Sequence, residues 1–344
     1  MLKFKADRRS IVFMSVTTAL LFVQWNMPFN LFLSPLLYIL ALYLAITVAV
    51  IAHNHNHLPM WKNQTMNLFM DYWITLFYGF PVFVWIPTHN RNHHHYTNRE
   101  GDYTITYRYS EGNNLVTLLS YPAISSYFQQ HPITEYLRDL WMRNRTKFFQ
   151  SIGQYGALGI MYIIALAIDW KKALLFIVVP HQTALFSVLI FNYLQHVHAD
   201  EESEYNHSRN FTGIYNKFLL NNGLHTAHHD QMGLHWSQLP EAHAKIAHRI
   251  DPQLNEVSLG WYVIRTYVLG LFVPKFRSKS MRLERMALAG GGSLTESFDA
   301  SNHLVSASAA PAAKKVAGRK PAAKAKAKKP AAKKTAAKKT RKTR

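Results

Sequence analysis

Four apolar runs constrain the fold of this 344-residue chain more than any other feature of its sequence. Each run is free of Asp, Glu, Lys and Arg, and the second is long enough to cross a hydrocarbon core of about 30 Å. They predict an all-α polytopic membrane protein with four transmembrane helices in two hairpins. The runs are residues 11–25, 30–52, 151–168 and 173–195.

Histidines recur with helix-compatible spacing at the ends of these runs and in the polar segments between them. Residues three or four apart lie on one face of a helix, so each cluster can aim its side chains at one point. Neutral imidazole suits Fe, Zn or Cu, and the set is larger than one tetrahedral zinc ion needs. We therefore predict two metal ions. The candidate ligands are His53, His57, His89, His93, His94, Asn192, His196, His225, His228 and His229.

The distribution of basic residues predicts the topology. Residues 1–10 carry four basic side chains before the first run, whereas the 26–29 connection has no charge. The positive-inside rule then places the N-terminus in the cytoplasm, and four spans return the chain there. All the histidine clusters would lie in one cytoplasmic helical cap that holds a di-metal site. The two lysines in the 169–172 turn, which would face outward, count against this topology.

A further apolar stretch, residues 66–87, is also long enough to span. If it did, the first and second histidine clusters would face opposite sides of the membrane and could not share a site. It contains Asp71, Gly79, Pro81 and many aromatic residues. We therefore predict that it is an interfacial or re-entrant helix.

The C-terminal part of the chain differs sharply in composition. The whole sequence carries 39 Lys or Arg against 19 Asp or Glu, but residues 314–344 hold 15 of the basic residues and no acid. This Lys/Ala/Pro-rich tail is predicted to be disordered, and residues 289–313 to be its flexible linker. Residues 11–288 would form the membrane domain.

The sequence contains no cysteine. An iron–sulfur cluster, a disulfide and a thiolate zinc site are therefore excluded within this chain. If the metals perform redox chemistry, the electrons must come from another protein. The first apolar run lacks a small-residue cleavage site, so we expect it to be a retained span and not a signal peptide.

Together these motifs resemble those of the integral-membrane fatty acid desaturases, over about residues 30–250. Any one histidine motif is a weak signal, but four in this order around two hydrophobic hairpins are specific. The motifs are H-N-H-N-H at 53–57, H-N-R-N-H-H at 89–94 followed by H-Y-T-N and G-D-Y at 95–98 and 101–103, N-Y-L-Q-H at 192–196, and H-T-A-H-H at 225–229.

The resemblance implies a non-haem di-iron centre whose ligands are the nine histidines of the set above, with Asn192 as a weaker or water-mediated ligand. Asn192 could instead cap a helix or form a hydrogen bond between helices. His55 and His95 would point away from the ligand faces. Acidic and polar residues near the clusters could orient an imidazole through its second nitrogen. These are Asp102, His198, Asp200 and Asp230, with Glu201 and Glu202 beside them.

The activity implied by the resemblance is O₂-dependent introduction of a cis double bond into a fatty acyl chain. Breaking an unactivated C–H bond is beyond any acid, base or nucleophile in the chain, so the iron must carry it. An apolar tunnel would position the chain, with aromatics of 66–87 and near Trp236 as candidates for its wall. Ferredoxin or another reductase-coupled protein would supply electrons. The implied location is the bacterial inner membrane, with both termini cytoplasmic.

Alternative functions remain open at this stage. A histidine-box hydroxylase acting on a lipid, alkane or carotenoid would use the same metals, although the chain lacks the N-Y-x-E-H-Y-G motif usual in alkane hydroxylases. The basic tail resembles linker-histone tails and could bind nucleic acid or anionic lipid, so a non-enzymatic membrane-tethered nucleic-acid binder is a second candidate. A structural metal protein is a third. The acyl carrier (CoA, carrier protein or phospholipid), the chain length, the double-bond position and the oligomeric state do not follow from the sequence.

Overall fold

The computed structural model describes residues 1–290, which are mostly helical. The predicted basic tail and almost all of its predicted linker lie outside the described residues. The helices are α1 Arg8–Asn26, α2 Leu33–His57, α3 Gln64–Tyr78, α4 Val82–Tyr96, α5 Leu115–Arg143, α6 Arg145–Ala173, α7 Val179–His196, α8 Tyr215–Phe218, α9 His225–Asp230, α10 Leu239–Ile246, α11 Leu259–Phe272 and α12 Met281–Ala289. A short parallel pair, β1 Asn210–Phe211 and β2 Asn255–Glu256, departs from the all-α prediction.

Within residues 1–290, two helical segments are long and apolar enough to cross a membrane, α2 and the continuous run Arg145–His196. A third span results if the bent pair α3–α4 is counted as one. The helix α1 covers the first predicted span, but it is not among these candidates. Arg8 and Arg9 at its start and Gln24 and Asn26 at its end lower its mean hydropathy. The structure therefore supports a membrane protein. It contains two candidate membrane segments, or three with the bent pair, where the sequence predicts four spans.

The run Arg145–His196 reverses direction at Asp169. This residue has an extended backbone (φ −157°, ψ 97°), and its carboxylate accepts hydrogen bonds from the amides of Lys171 and Lys172. The Tyr162 hydroxyl lies 2.7 Å from Nδ1 of His181. In a continuous helix these two residues, 19 positions apart, would be separated by about 28 Å. The run is therefore a helical hairpin, as predicted from the runs 151–168 and 173–195.

The re-entrant interpretation of 66–87 agrees with a 100° bend between α3 and α4. Gly79 ends α3 in the left-handed region (φ 81°), and Pro81 follows before α4 begins. A Cβ atom at Gly79 would lie 2.3 Å from Cβ of His181 on α7. Two constraints, backbone conformation and close packing, therefore require glycine at this bend.

The half of α2 that carries the first histidine cluster is mostly buried, whereas the side chains of its other half are exposed or half-buried. Residues from Leu44 to His55 contribute a nearly continuous buried stretch, packed mainly against α7. Phe32, Leu36 and Ile39 near the other end are 84%, 64% and 65% exposed. Large apolar side chains that face outward in this way suit contact with lipid. The packed end of the helices is therefore where the histidines lie.

Replacing Gly79 with alanine should destabilise the protein. Alanine would be strained by about 1–3 kcal/mol at positive φ, and its methyl group would clash with His181. Gly159→Ala is the matched control, because nothing lies within 4 Å of its Cβ position and alanine favours a helix. Thermal unfolding in detergent should show a lower midpoint for Gly79→Ala only. Equal midpoints in both variants would contradict the packing described at the bend.

Candidate metal centre

The first ligand pair comes from the buried end of α2. His53 and His57 are four residues apart on one helical face, and the helix ends at Leu58, whose backbone is extended. The apolar part of α2 packs against α7. This packing fixes the position of the two imidazoles along the helix axis. Sequence spacing alone predicts this pair.

The second cluster lies on a π-helical turn, Ile86–His93, within α4. The amide of His94 donates to the carbonyl of His89, five residues earlier. In an α-helix, residues five apart differ by about 140° in direction, whereas wider turns of the π type bring them close to the same face. The Nε2 atoms of His89 and His94 are 3.1 Å apart. The π turn therefore lets both imidazoles reach one point.

The last two clusters come from the end of α7 and from α9. His196 is the final residue of α7, and α9 begins at His225. Asn210 of β1 holds the start of α9, because its side-chain oxygen accepts from the amide of Thr226 and its side-chain nitrogen donates to the Thr226 hydroxyl. The short strand pair thus fixes the helix that carries the final histidine motif.

These elements gather nine imidazoles into two groups, and within each group the possible ligand nitrogens lie within 4.8 Å of one another. Helices α4 and α9 each contribute histidines to both groups, so the two groups lie side by side. The first group is His53, His57, His89, His94 and His228. The second group is His93, His196, His225 and His229.

The spacing of the nitrogens fits metal coordination. With metal–nitrogen bonds of about 2.1 Å, ligands at right angles place their nitrogens about 3.0 Å apart, and tetrahedral ligands about 3.4 Å apart. The first group has five imidazoles, one more than a tetrahedral zinc site uses. The residues present therefore fit two adjacent ions, one with five imidazoles and the other with four. The Nε2–Nε2 distances are 3.0 Å for His53–His89, 3.1 Å for His94–His228, 3.1 Å for His93–His196 and 2.9 Å for His196–His225.

Several ring nitrogens have partners that direct the opposite nitrogen toward the groups. Nδ1 of His93 lies 2.8 Å from the Asp102 carboxylate and 2.9 Å from the Thr104 hydroxyl. Nδ1 of His196 donates to the carbonyl of His207 at 3.1 Å. A proton on Nδ1 leaves the lone pair on Nε2 free for a metal. Nε2 of His57 is buried without a hydrogen-bond partner among the described residues, and a metal ion in the first group would supply one.

Burial keeps the imidazoles of α9 neutral. It lowers the pKa of His225, His228 and His229 well below the usual value of 6.5, and the neighbouring imidazoles lower each pKa further. Neutral imidazole is the form that binds metals. Burial would raise the pKa of the Asp102 carboxyl, but His93 and hydrogen bonds from Thr104 hold it below its usual range, so the carboxylate is charged at neutral pH.

The Asn192 side chain forms a hydrogen bond between helices. Its amide nitrogen donates to the Tyr121 hydroxyl at 2.6 Å, although the residue lines the same small cavity as His53, His89 and His225. This contact is the kind of hydrogen bond between helices that the sequence analysis gave as the alternative to metal ligation by Asn192. His55 pairs instead with Asp71 at 3.3 Å, in line with its expected position off the ligand face.

Of the residues predicted to orient an imidazole, Asp102 contacts one directly, and the structure gives the others different partners. Nε2 of His198 donates to the carbonyl of Glu111. Asp200 pairs with Arg285 of α12 at 2.6 Å. Asp230 is exposed and accepts from Gln231. These groups are close to the histidines in sequence, but the turns between them direct their side chains elsewhere.

Sequence reasoning missed the Thr104 hydroxyl and the carbonyl of His207. Threonine two residues after Asp102 carries no distinctive signal, and a backbone carbonyl carries none at all. Trp236, a candidate for the tunnel wall, donates to Asp7 at 3.0 Å and lies outside the cavity that borders Asn192. Trp85, within 66–87, does line that cavity and packs edge-on against the rings of His53 and His89.

Asp102→Asn should weaken metal binding by about 10- to 100-fold, because the carboxylate fixes the ring and tautomer of His93. Asp230→Asn is the control, since this exposed carboxylate contacts none of the nine imidazoles by hydrogen bond. Affinity for Fe(II) can be measured by competition with a chelator. Equal affinities for the two variants would show that Asp102 does not support the site.

The model of the family described as fatty acid desaturase matches residues 28–261, about two thirds of the chain. The match includes all four histidine motifs and confirms the resemblance found in the sequence. No curated protein and no solved structure matches the chain. The chain belongs to the fatty acid desaturase family, which implies an oxidoreductase with chemistry of the desaturase or hydroxylase type.

Proposed function

We propose that this protein is a membrane-bound desaturase that uses O₂ and two iron ions to introduce a cis double bond into a fatty acyl chain. The observation that carries this proposal is the convergence of nine imidazoles as two adjacent groups beside a small, mainly apolar cavity. The first and second groups would each hold one iron. Imidazole donors suit Fe(II), and the family supports this class of chemistry.

The iron ions, when bound, supply the O₂ chemistry that removes hydrogen from an unactivated methylene group. Overall, two hydrogens leave neighbouring carbons, and together with two electrons and two protons from outside the acyl chain they reduce O₂ to water. Burial keeps the imidazoles of α9 neutral, and the Asp102 carboxylate holds the ring of His93. Val50, Val84 and Leu189 border the cavity beside His53 and exclude water from it.

The second candidate function is that of a histidine-box hydroxylase. Desaturation and hydroxylation both begin by removing the same hydrogen, so the metal centre suits either reaction. The chain has Gln195 where the alkane-hydroxylase motif has glutamate, and its amide donates to the carbonyl of Asn222. A neutral side chain in a structural hydrogen bond there favours the desaturase. The nucleic-acid-binding alternative depends on the tail, which lies outside the described residues.

For the membrane topology, the proposal is four spans with both termini and all histidine motifs in the cytoplasm of a bacterial cell. The reversal at Asp169 and the packing of α1 along α2 support two hairpins. All nine imidazoles meet in one place, which requires their motifs to be on one side of the membrane. Because the chain has no cysteine for an iron–sulfur cluster, a separate protein such as ferredoxin would deliver the electrons.

Cells expressing the protein with a compatible electron donor should accumulate a cis-unsaturated fatty acid, detected as methyl esters by mass spectrometry. His93→Ala and His228→Ala should abolish it, because each removes an imidazole from one of the two groups. His131→Ala should not, since His131 is an exposed residue paired with Glu135. A hydroxylated product without new unsaturation would reject the desaturase while retaining the metal centre.

The topology can be tested with single cysteines placed in this cysteine-free chain. Gln231, just after α9, and Lys171, in the turn of the α6–α7 hairpin, are both exposed. A membrane-impermeant maleimide should label Gln231→Cys only after the cytoplasmic side is opened, and Lys171→Cys in intact cells. Labelling of both positions from the same side would contradict the four-span topology.

A further inference from the structure

An uncharged cleft of about 640 Å³ lies between α5 and α7, next to the cavity at the metal groups. Apolar side chains such as Ile133, Val179 and Phe186 form much of its wall. No charged side chain occurs among the described residues that line it. Val179 and Phe186 are 42% and 43% exposed, so the cleft is open along α7. A wall of this composition suits a hydrocarbon chain better than a polar ligand.

The cleft leads to the histidines. Val84, Gln129 and Leu189 line both the cleft and a cavity of about 70 Å³. That smaller cavity is also bordered by His53 and His89 of the first group and by His225 of the second group. The three shared residues therefore form a neck through which a chain in the cleft would reach the metal centre.

A larger polar cavity of about 780 Å³ does not provide this route. It lies beside α3, α5 and α6, and Asp71 and Lys147 are among its lining residues. It shares no lining residue with the small cavity at the histidines. Size alone would favour this cavity as a ligand site, but connection to the metal groups favours the α5–α7 cleft.

The orientation of the cleft indicates where its occupant comes from. Its α7 wall extends from Leu189 back to Val179, about 15 Å along the helix and away from His196. These residues belong to the candidate span Arg145–His196. The α7 wall of the cleft therefore lies within a candidate membrane span, and the neck lies toward the end of α7 that carries the ligands.

We propose that the α5–α7 cleft binds the acyl chain of a membrane phospholipid, which enters sideways from the bilayer and reaches the metal centre through the neck. This inference rests on the proposed function and selects one of the three acyl carriers. A soluble thioester would bring its chain from the aqueous side, together with the anionic groups of its carrier. No cation for those groups occurs among the described residues that line the cleft, and its α7 wall belongs to a candidate membrane span.

The full-length protein in phosphatidylglycerol nanodiscs provides the test. Part of the lipid carries a photoreactive diazirine in one acyl chain, and cross-linked peptides are mapped by mass spectrometry. Ser126→Trp fills the cleft from α5, whereas Thr134→Trp places the same bulk on an exposed position of α5 outside it. Conversion is measured in parallel with one acyl chain supplied as phosphatidylglycerol, as a CoA thioester and on acyl-carrier protein.

Cross-links should map to residues 122–133 and 179–189 in the wild type and in Thr134→Trp. Their yield should fall several-fold in Ser126→Trp. Among the three substrates, phosphatidylglycerol should be the one converted. Undiminished cross-linking in Ser126→Trp, or conversion of a soluble thioester alone, would overturn the inference. If the wild type converts none of the substrates while cross-linking follows the expected pattern, the desaturase proposal fails and lipid binding in the cleft is supported. Cross-linking needs neither iron nor turnover, so the two failures are distinguishable.

Discussion

Crowding nine imidazoles into two adjacent groups is the constraint on which the rest of the structure depends. Lone pairs about 3 Å apart repel one another unless a proton or a metal ion lies between them, and burial disfavours the added proton of a charged imidazolium. The fold must therefore hold the rings in place. The buried end of α2, the π turn in α4 and the strand that anchors α9 each fix one histidine motif. Metal ions would relieve the repulsion, so binding and local stability are coupled.

The elements with strong periodic signals could be predicted from the sequence. The apolar runs gave α2 and the α6–α7 hairpin, and spacing of three or four residues gave the histidine set. The break in 66–87 was predictable because Gly79 and Pro81 interrupt an apolar stretch. The bounds of the helices and the number of membrane spans were less predictable, since hydropathy does not show which apolar surface contacts protein and which contacts lipid.

Other features depended on tertiary contacts. The π turn that aligns His89 with His94 has no recognised signal in the sequence, which predicts only α-helical spacing. Asp102 was predictable as a partner for an imidazole, but the same reasoning applied equally to Asp200, which pairs with Arg285. Proximity in sequence does not determine which way a loop side chain points. The neck at Val84, Gln129 and Leu189 combines three helices distant in sequence, so only the structure reveals it.

The most direct test of the account is the metal content of the purified protein. Protein expressed with ample iron should contain two iron ions per chain by elemental analysis, because the imidazoles form two groups and each group has at least four ligands. One zinc ion per chain in fully active protein would contradict both the pairing of the groups and the redox chemistry assigned to them.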